Sequence, residues 1–238
     1  MKKGGDNMRK EDVIRGLRQA AIFSLGCNEI SLFPERDKII RSFLRDEKQS
    51  DADKVKEVLM QLKILFPYLS LIAQANQKDP FSSEVVEAYF IGNELLSKVP
   101  IEKTRARVEN ISRGISLPKG FVPHHNYHLF AVTLQSEGRA VPAPLLNLCM
   151  IRLGKVKEVS EKEVKIRIWF VEFANGSPTL SLREEIIERS SVFTNKIENG
   201  DMVAVHWQNI CQRLTLKQTQ WLEYYTNEAI RCVKIKGE

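Results

Sequence analysis

The chain has 238 residues and a formal net charge of +6, with 43% hydrophobic and 28% charged residues. This length can bury a sizeable core, and the composition is that of a globular protein rather than a disordered or fibrous one. Lysine and arginine are spread along the chain instead of being packed into runs, which favours a solvated surface over a nucleic-acid or membrane-binding patch.

Signals for secretion, membrane insertion and disulfide cross-linking are not found in the sequence. The basic start is followed by Gly4-Gly5-Asp6-Asn7, where a signal peptide would have apolar residues. No window approaches the roughly 18 uninterrupted apolar residues of a membrane helix. The four cysteines are far apart and form no C-x-x-C pair, which argues against a disulfide scaffold or a zinc knuckle. We therefore expect a cytoplasmic protein.

The first half of the chain has the periodicity of amphipathic helices. Apolar residues three or four apart, together with capping signals, predict helices over residues 11–23, 35–44, 55–66, a segment opening at Asp79-Pro80, and 100–113. Pro67 is expected to end or kink the third helix, and Gly114 to stop the last one. Residues 1–116 are thus predicted to form an all-α domain.

Residues 117–147 are predicted to connect two domains. Proline and glycine interrupt the segment every few residues, and one ordered element is expected from His128 to Leu134, where periodicity fits strand and helix equally. With a boundary here, the C-terminal part is expected to fold by itself.

From Cys149 onward the pattern is that of β-strands. Alternating runs flank a turn at residues 160–162, and further turns are predicted at Asn175-Gly176 and Asn199-Gly200-Asp201. A T-x-x-Q capping box of Thr215 and Gln218 predicts a final helix. Residues 148–238 are therefore predicted to form a small OB or SH3-like barrel with a C-terminal helix, which makes the fold class α+β.

Three of the four histidines lie together and are candidate metal ligands. His124, His125 and His128, called here the histidine cluster, would share a face in pairs on a helix, through their spacings of three and four residues. No glutamate or cysteine completes a known ligand spacing. The alternative is that these histidines satisfy backbone groups where two domains meet.

Cys149 and the fourth histidine, His206, lie in two motifs of a known family. Cys149 precedes Leu153-Gly154-Lys155-Val156, and His206 ends the run Gly200-Asp201-Met202-Val203-Ala204-Val205-His206, just before the C-terminal helix. In both motifs, in their order and in the trailing helix, residues 148–230 resemble the HypC/HupF/HybG hydrogenase-maturation chaperones. That family has proline where this chain has Leu153, and its cysteine is N-terminal whereas Cys149 is internal. The whole chain is similar to an uncharacterised family found near hydrogenase genes.

The resemblance implies an accessory role rather than an enzymatic one. HypC-type proteins bind a HypD-type partner and hold an iron atom that carries cyanide and carbon monoxide. They pass this iron to the large-subunit precursor of a nickel-iron hydrogenase. By position, Cys149 would be the thiolate ligand of the iron and His206 the second ligand or its close neighbour. Gly154, Lys155, Gly200 and Asp201 would be structural motif residues, and the histidine cluster could complete a metal site from the other domain. The remaining cysteines are expected to be structural.

Two other functions stay open on the sequence alone. The predicted strand over residues 165–170 carries Lys165, Arg167, Trp169 and Phe170, which would suit an OB-type nucleic-acid-binding module. Against it, the two aromatic residues are adjacent and would point to opposite faces of the sheet. A metal-dependent enzyme that uses the histidine cluster ranks third, because no general base is evident in that motif.

Overall fold

The structure is a computed structural model and describes residues 3–45, 51–111, 117–118, 120–133, 142–174, 177–191, 193 and 196–233. Helices make up the first part of the chain, and a five-stranded antiparallel sheet followed by one helix makes up the second. The predicted α+β class is confirmed at this level.

The helices are α1 (Lys3–Ser24), α2 (Asn28–Ser31), α3 (Pro34–Arg45), α4 (Ala52–Met60), α5 (Leu65–Asn76), α6 (Ser83–Phe90), α7 (Ile101–Ile111), α8 (His125–Tyr127), α9 (Ala143–Cys149) and α10 (Leu216–Arg231). A 3-10 turn covers Glu94–Lys98, and a π-helical turn, His128–Thr133, continues α8. Among the described residues no single helix is long and apolar enough to cross a membrane. The pair α4 and α5 meets that test only jointly and is bent by 99°.

The predicted third helix is in fact two helices. Its apolar stripe over residues 55–66 runs through α4, a break and the start of α5, so the prediction of one helix is wrong. Pro67 lies in the first turn of α5, where backbone N–H groups have no helical acceptor and proline costs little. A proline that was expected to end a helix therefore lies near the start of the next one.

The predicted start of the fourth helix is also displaced. The helix begins at Ser83 rather than at Pro80, and Asp79 caps a turn instead, since its carboxylate accepts a hydrogen bond of 2.8 Å from the Phe81 N–H. The last predicted helix corresponds to α7. Gly114, its expected stop, lies outside the described residues.

The predicted connecting segment is more ordered than expected. It contains α8, the π-helical turn and most of α9 rather than a single element. Pro142 and Pro144 stand at the cap and in the first turn of α9, where their fixed φ favours a helix start. Cys149 is the last residue of α9, so its predicted place at the entry of a strand is wrong.

The strands are β1 (Arg152–Val159), β2 (Glu163–Ala174), β3 (Ser177–Glu188), β4 (Met202–His206) and β5 (Asn209–Leu214), in the spatial order β3-β2-β1-β4-β5. The predicted turns at 160–162 and 199–200 are confirmed, and Gly200 has the positive φ of +95° that the latter turn requires. The turn at 175–176 lies outside the described residues. β3 and β5 are opposite edges of an open sheet, so closure into a barrel is not confirmed.

One face of the sheet has a core of its own. Side chains of the five strands and Ile197 bury each other there, with no helical residue among them: Val156, Val164, Ile166, Ile168, Ile187, Val203, Val205 and Ile210. These side chains therefore form a cluster separate from the core that the helices share.

The opposite face of the sheet shares its core with the helices. One cluster of buried apolar residues extends from Leu17 in α1 to Ala229 in α10 and includes Met150, Ile151 and Leu153 of the β part. The division into domains at 1–116, 117–147 and 148–238 stays a prediction. The shared core nevertheless gives the expectation that the C-terminal part folds alone no structural support.

Candidate functional site

A single cleft collects most of the chain's cysteine and histidine side chains. Its volume is ≈ 260 Å³, and apolar side chains of α1, α5 and α6 form much of its wall. Its polar lining includes Cys27, Cys149, His125, His128 and His206, together with Ser24, Glu29 and Thr133. The lining residues come from segments spread along the chain, from Phe23 to Trp207. The structure thus brings Cys149 and His206 together with two members of the histidine cluster, and their role as metal ligands stays a prediction.

His206, at the end of β4, lies between two helix C-termini. Its Nδ1 is 2.6 Å from the carbonyl oxygen of Phe23, in the last turn of α1, and its Nε2 is 2.9 Å from the carbonyl oxygen of Cys149, at the end of α9. Burial, with a smaller contribution from nearby His125, lowers the pKa of His206 to about 3, although the two carbonyl contacts act to raise it. The neutral ring has one N–H and one lone pair, and both nitrogens face backbone oxygens, so neither nitrogen is open to the cleft.

His125 contacts the same carbonyl from the other side. Its Nε2 is 2.9 Å from the Cys149 oxygen, its Nδ1 is 3.3 Å from the Tyr89 hydroxyl, and its ring meets the His206 ring edge-on at 5.0 Å between centroids. Burial lowers the pKa of His125 to about 4, so Nε2–H donates to Cys149 while Nδ1 accepts from Tyr89. Two imidazoles therefore clamp one peptide oxygen of Cys149.

His128 is oriented by a tyrosine from α5. Its Nδ1 is 2.9 Å from the Tyr68 hydroxyl, and burial lowers the pKa of this histidine to about 3. The hydrogen bonds of the described residues include none to Nε2 of His128, which is also absent from the fully enclosed polar atoms. Within the cleft, His128 is thus the histidine with a ring nitrogen left open to a ligand.

His124 does not belong to the cleft. Its Nδ1 accepts the Asn126 N–H at 3.2 Å and so caps α8, and its ring stacks on Tyr225 of α10 at 5.2 Å between centroids. Burial lowers the pKa of His124 to about 3. Of the clustered histidines, His125 and His128 thus line the cleft and His124 does not, because the extended cap residue and the helix that follows it direct neighbouring rings to different sides. The role of His124 as a metal ligand stays a prediction.

Two asparagines fix the backbone on either side of Cys149. The Asn126 side chain accepts from the N–H of Ile151 and donates to its carbonyl, each at 3.0 Å. The Asn147 side chain makes the same pair of bonds to Val171 of β2, at 2.7 and 2.9 Å. Each amide thereby replaces a strand partner. The cysteine consequently sits on a rigid segment.

The contacts described above hold the backbone of Cys149 in place, and its thiol lines the cleft. Its side chain is half-buried, and burial raises the pKa of the thiol to about 11, so it is protonated at neutral pH. Among the described residues it makes no hydrogen bond of its own, while its carbonyl is held by His125 and His206. The sulfur is therefore free to bind a ligand that can displace the proton.

Sequence reasoning missed Cys27 and Trp207 as parts of the site. Trp207 follows His206 in a two-residue turn in which Trp207 and Gln208 both have positive φ, at 48° and 62°. Its N–H donates to the Leu148 carbonyl at 3.0 Å, and its side chain lies so close to Gly26 that a Cβ there would be 2.5 Å from the Trp207 Cβ. No local pattern could have revealed this contact, because it joins segments about 180 residues apart.

Metal-ligand grouping is not found at the cleft in the part of the chain that the structure describes. Among the described residues no three His, Cys, Asp or Glu side chains are grouped so that they could hold a metal ion. The metal-ligand roles of Cys149, His206 and the histidine cluster stay predictions.

The four motif residues have structural surroundings. Gly154 lies in β1, where a Cβ would be 3.4 Å from Val203, and Lys155 beside it is exposed. Gly200 forms the turn before β4, and the Asp201 carboxylate closes that turn by accepting the Glu198 N–H at 2.9 Å.

The strand proposed for nucleic-acid binding has much of its charge paired. Lys165 lies 3.2 Å from the Glu158 carboxylate, and the Phe170 ring is covered by the Arg183 guanidinium at 3.9 Å from its centroid. Arg183 in turn pairs with Glu172 at 2.8 Å. A base could stack on Phe170 only by displacing this arginine.

Comparison with known proteins gives a family. No curated protein and no solved structure matches the chain. Residues 41–237 match the family of unknown function DUF6390, which covers the described helices from the end of α3 onward and the whole sheet. The chain belongs to the DUF6390 family.

Proposed function

We propose that this protein is a carrier that holds an iron complex with small diatomic ligands in the cleft, through the Cys149 thiolate, and delivers it to the precursor of a metalloenzyme. The observation that carries the proposal is the convergence of Cys149, His125, His128 and His206 on one largely apolar cleft. A thiolate is a soft donor suited to low-spin iron, and an apolar wall suits uncharged diatomic ligands.

Cys149 is the iron ligand in this proposal, and His206 acts through it. Both ring nitrogens of His206 face backbone oxygens. This histidine is therefore better suited to positioning Cys149 than to binding the iron as a second ligand. A residue that holds a metal ligand in place fixes the ligand's orientation, and its loss typically weakens metal binding by about 10–100-fold. His128 Nε2 is the open nitrogen that faces the cargo.

The resemblance to HypC-type chaperones supports the same role. Cys149 and His206 are the two positions carried over from that family, and they lie side by side here although 57 residues separate them in sequence. The antiparallel sheet with its own buried cluster, followed by one helix, is compatible with a HypC-like module over residues 148–238. By the same resemblance the partners are a HypD-like maturation protein or the large-subunit precursor of a nickel-iron hydrogenase.

The test is iron retention by protein purified without oxygen from cells that make the iron–cyanide–carbonyl fragment. We expect about one iron per chain and infrared bands in the cyanide and carbonyl stretching region. Cys149→Ser should lose both signals, because a hydroxyl is a poor donor to soft iron, and Cys232→Ser, which alters a half-buried thiol outside the cleft, should keep them. Wild-type protein without such bands, or equal bands in Cys149→Ser, would overturn the proposal.

A further inference from the structure

A second thiol shares the cleft with Cys149. Cys27 follows α1 in the chain, and its side chain lines the same ≈ 260 Å³ cleft. The sequence alone favoured a structural role for it, yet it is only half-buried and lies at a boundary between the helical part and the sheet. Neither thiol is joined to another cysteine.

The dipeptide His206-Trp207 holds the two cysteine-bearing segments together. The His206 ring spans from the Phe23 carbonyl to the Cys149 carbonyl, so one imidazole separates the end of α1 from the end of α9. Trp207 repeats this connection, since its N–H binds the Leu148 carbonyl and its side chain packs on Gly26. Cys27 and Cys149 are each adjacent in sequence to a residue that Trp207 contacts.

The environment of Cys27 keeps its thiol protonated when no metal is bound. Burial, together with the neighbouring Cys149, raises the pKa of the Cys27 thiol to about 12, although a hydrogen bond from the Trp207 side chain acts to lower it. The indole N–H is a donor only, so it favours the charged sulfur. A metal ion bound by both sulfurs would offset the cost of deprotonating the two thiols, because metal binding displaces the thiol protons.

We propose that Cys27 and Cys149 act together as a pair of thiolate ligands for one thiophilic metal centre, one from each part of the chain. The pair deepens the function proposed above and rests on it in naming the cargo, which would then be a complex with two sulfur ligands. Because the described residues offer no group of three ligands, the other coordination positions stay available to small ligands or to a recipient's cysteines.

The experiment uses Cd²⁺ as the probe, because it binds thiolates and needs no maturation machinery. Reduced wild-type protein is titrated without oxygen while the sulfur-to-metal charge-transfer absorption and the released protons are recorded. We expect one tight site per chain and about two protons released per ion near pH 7, since both thiols start protonated. Cys27→Ser and Cys149→Ser should each weaken Cd²⁺ binding by more than about 100-fold. This loss exceeds the one expected when a residue that only holds a metal ligand in place is removed.

Matched controls separate a ligand role from a structural one. Cys232→Ser alters a half-buried thiol that does not line the cleft and should leave the titration unchanged. Circular dichroism of each variant checks the fold, and Cys27→Ala repeats the test with a smaller side chain. If Cys27→Ser and Cys27→Ala are folded and bind Cd²⁺ as tightly as the wild type, the pair is refuted.

The outcomes also distinguish this inference from the proposed function. If Cys27→Ser keeps the infrared bands of the iron complex and Cys149→Ser loses them, the carrier role stands and the pair is refuted. If Cd²⁺ requires both cysteines but the wild type never retains an iron complex, the two-thiolate site stands and iron is not its cargo.

Discussion

The buried histidines predict that this protein loses stability steeply between pH 6.5 and pH 5. The perturbation is acidification alone, at constant ionic strength. The pKa values of His124, His128 and His206 are lowered by burial to about 3, and that of His125 to about 4, from an ordinary value of 6.5. Below pH 6.5 the unfolded chain therefore binds protons that the folded chain excludes, so the free energy of unfolding falls as the pH falls.

The magnitude follows from these pKa values. At pH 5.0 a histidine with an unfolded pKa of 6.5 that stays neutral when folded costs about 2 kcal/mol of stability, and at pH 7.5 almost nothing. His125 contributes less because it is partly exposed to the cleft, and the two carbonyl contacts of His206 reduce its share. We expect a total loss of about 5–7 kcal/mol, which is comparable to the whole stability of many domains.

The assay is urea unfolding at a series of pH values, with the free energy extrapolated to water at each. Between pH 6 and pH 5 the unfolded chain should bind three to four protons more than the folded chain. The free energy of unfolding should therefore fall by about 4–5 kcal/mol per pH unit. The carboxylates with displaced pKa values are shifted downward, so they do not titrate in this window. His124→Asn, which can still accept the Asn126 N–H, should reduce the proton uptake by about one. If the free energy of unfolding falls by less than about 2 kcal/mol between pH 6.5 and pH 5, neutral burial of these rings is refuted.

Three further predictions concern packing and folding. Gly16→Ala should destabilise the protein by several kcal/mol in urea unfolding, because a Cβ there would lie 1.9 Å from the Phe81 carbonyl oxygen. Glu185→Gln should cost about 2–3 kcal/mol, because it leaves the Arg152 guanidinium, whose side chain is 2% exposed, without its charged partner. A chain of residues 117–238 should show no cooperative thermal unfolding by circular dichroism, because its core is completed by the helices of the first part.

Each of these predictions has its own contradicting result. A Gly16→Ala protein as stable as the wild type would mean that α1 and the segment just before α6 do not approach as closely as described. Glu184→Gln is the matched control for the ion pair, because Glu184 is exposed on the same strand and should change stability by less than about 0.5 kcal/mol. Cooperative unfolding of residues 117–238 would restore the prediction of an autonomous C-terminal domain.

Features that depend on nearby residues were predictable from the sequence. The capping box of Thr215 and Gln218 opens α10 with both of its hydrogen bonds present, and the turn at Gly200 has the expected positive φ. The α-then-β order also followed from the change in apolar periodicity. These features are determined within a few residues of chain, because capping, turn geometry and the burial of one face obey local rules. Where local rules competed, as at Pro67, the same residue fitted the end of one helix or the start of another.

The cleft itself was decided by the tertiary structure. The sequence singled out Cys149 and His206 as a pair, but whether their side chains meet depends on how α1 and α9 end against β4. The positions of Cys27 and Trp207 had no local signal, and neither did the exclusion of His124 from a cluster that looks continuous in sequence. Contacts between residues 57 to about 180 positions apart are formed by the packing of whole elements, and the energy that fixes them is spread over a core that no short segment contains.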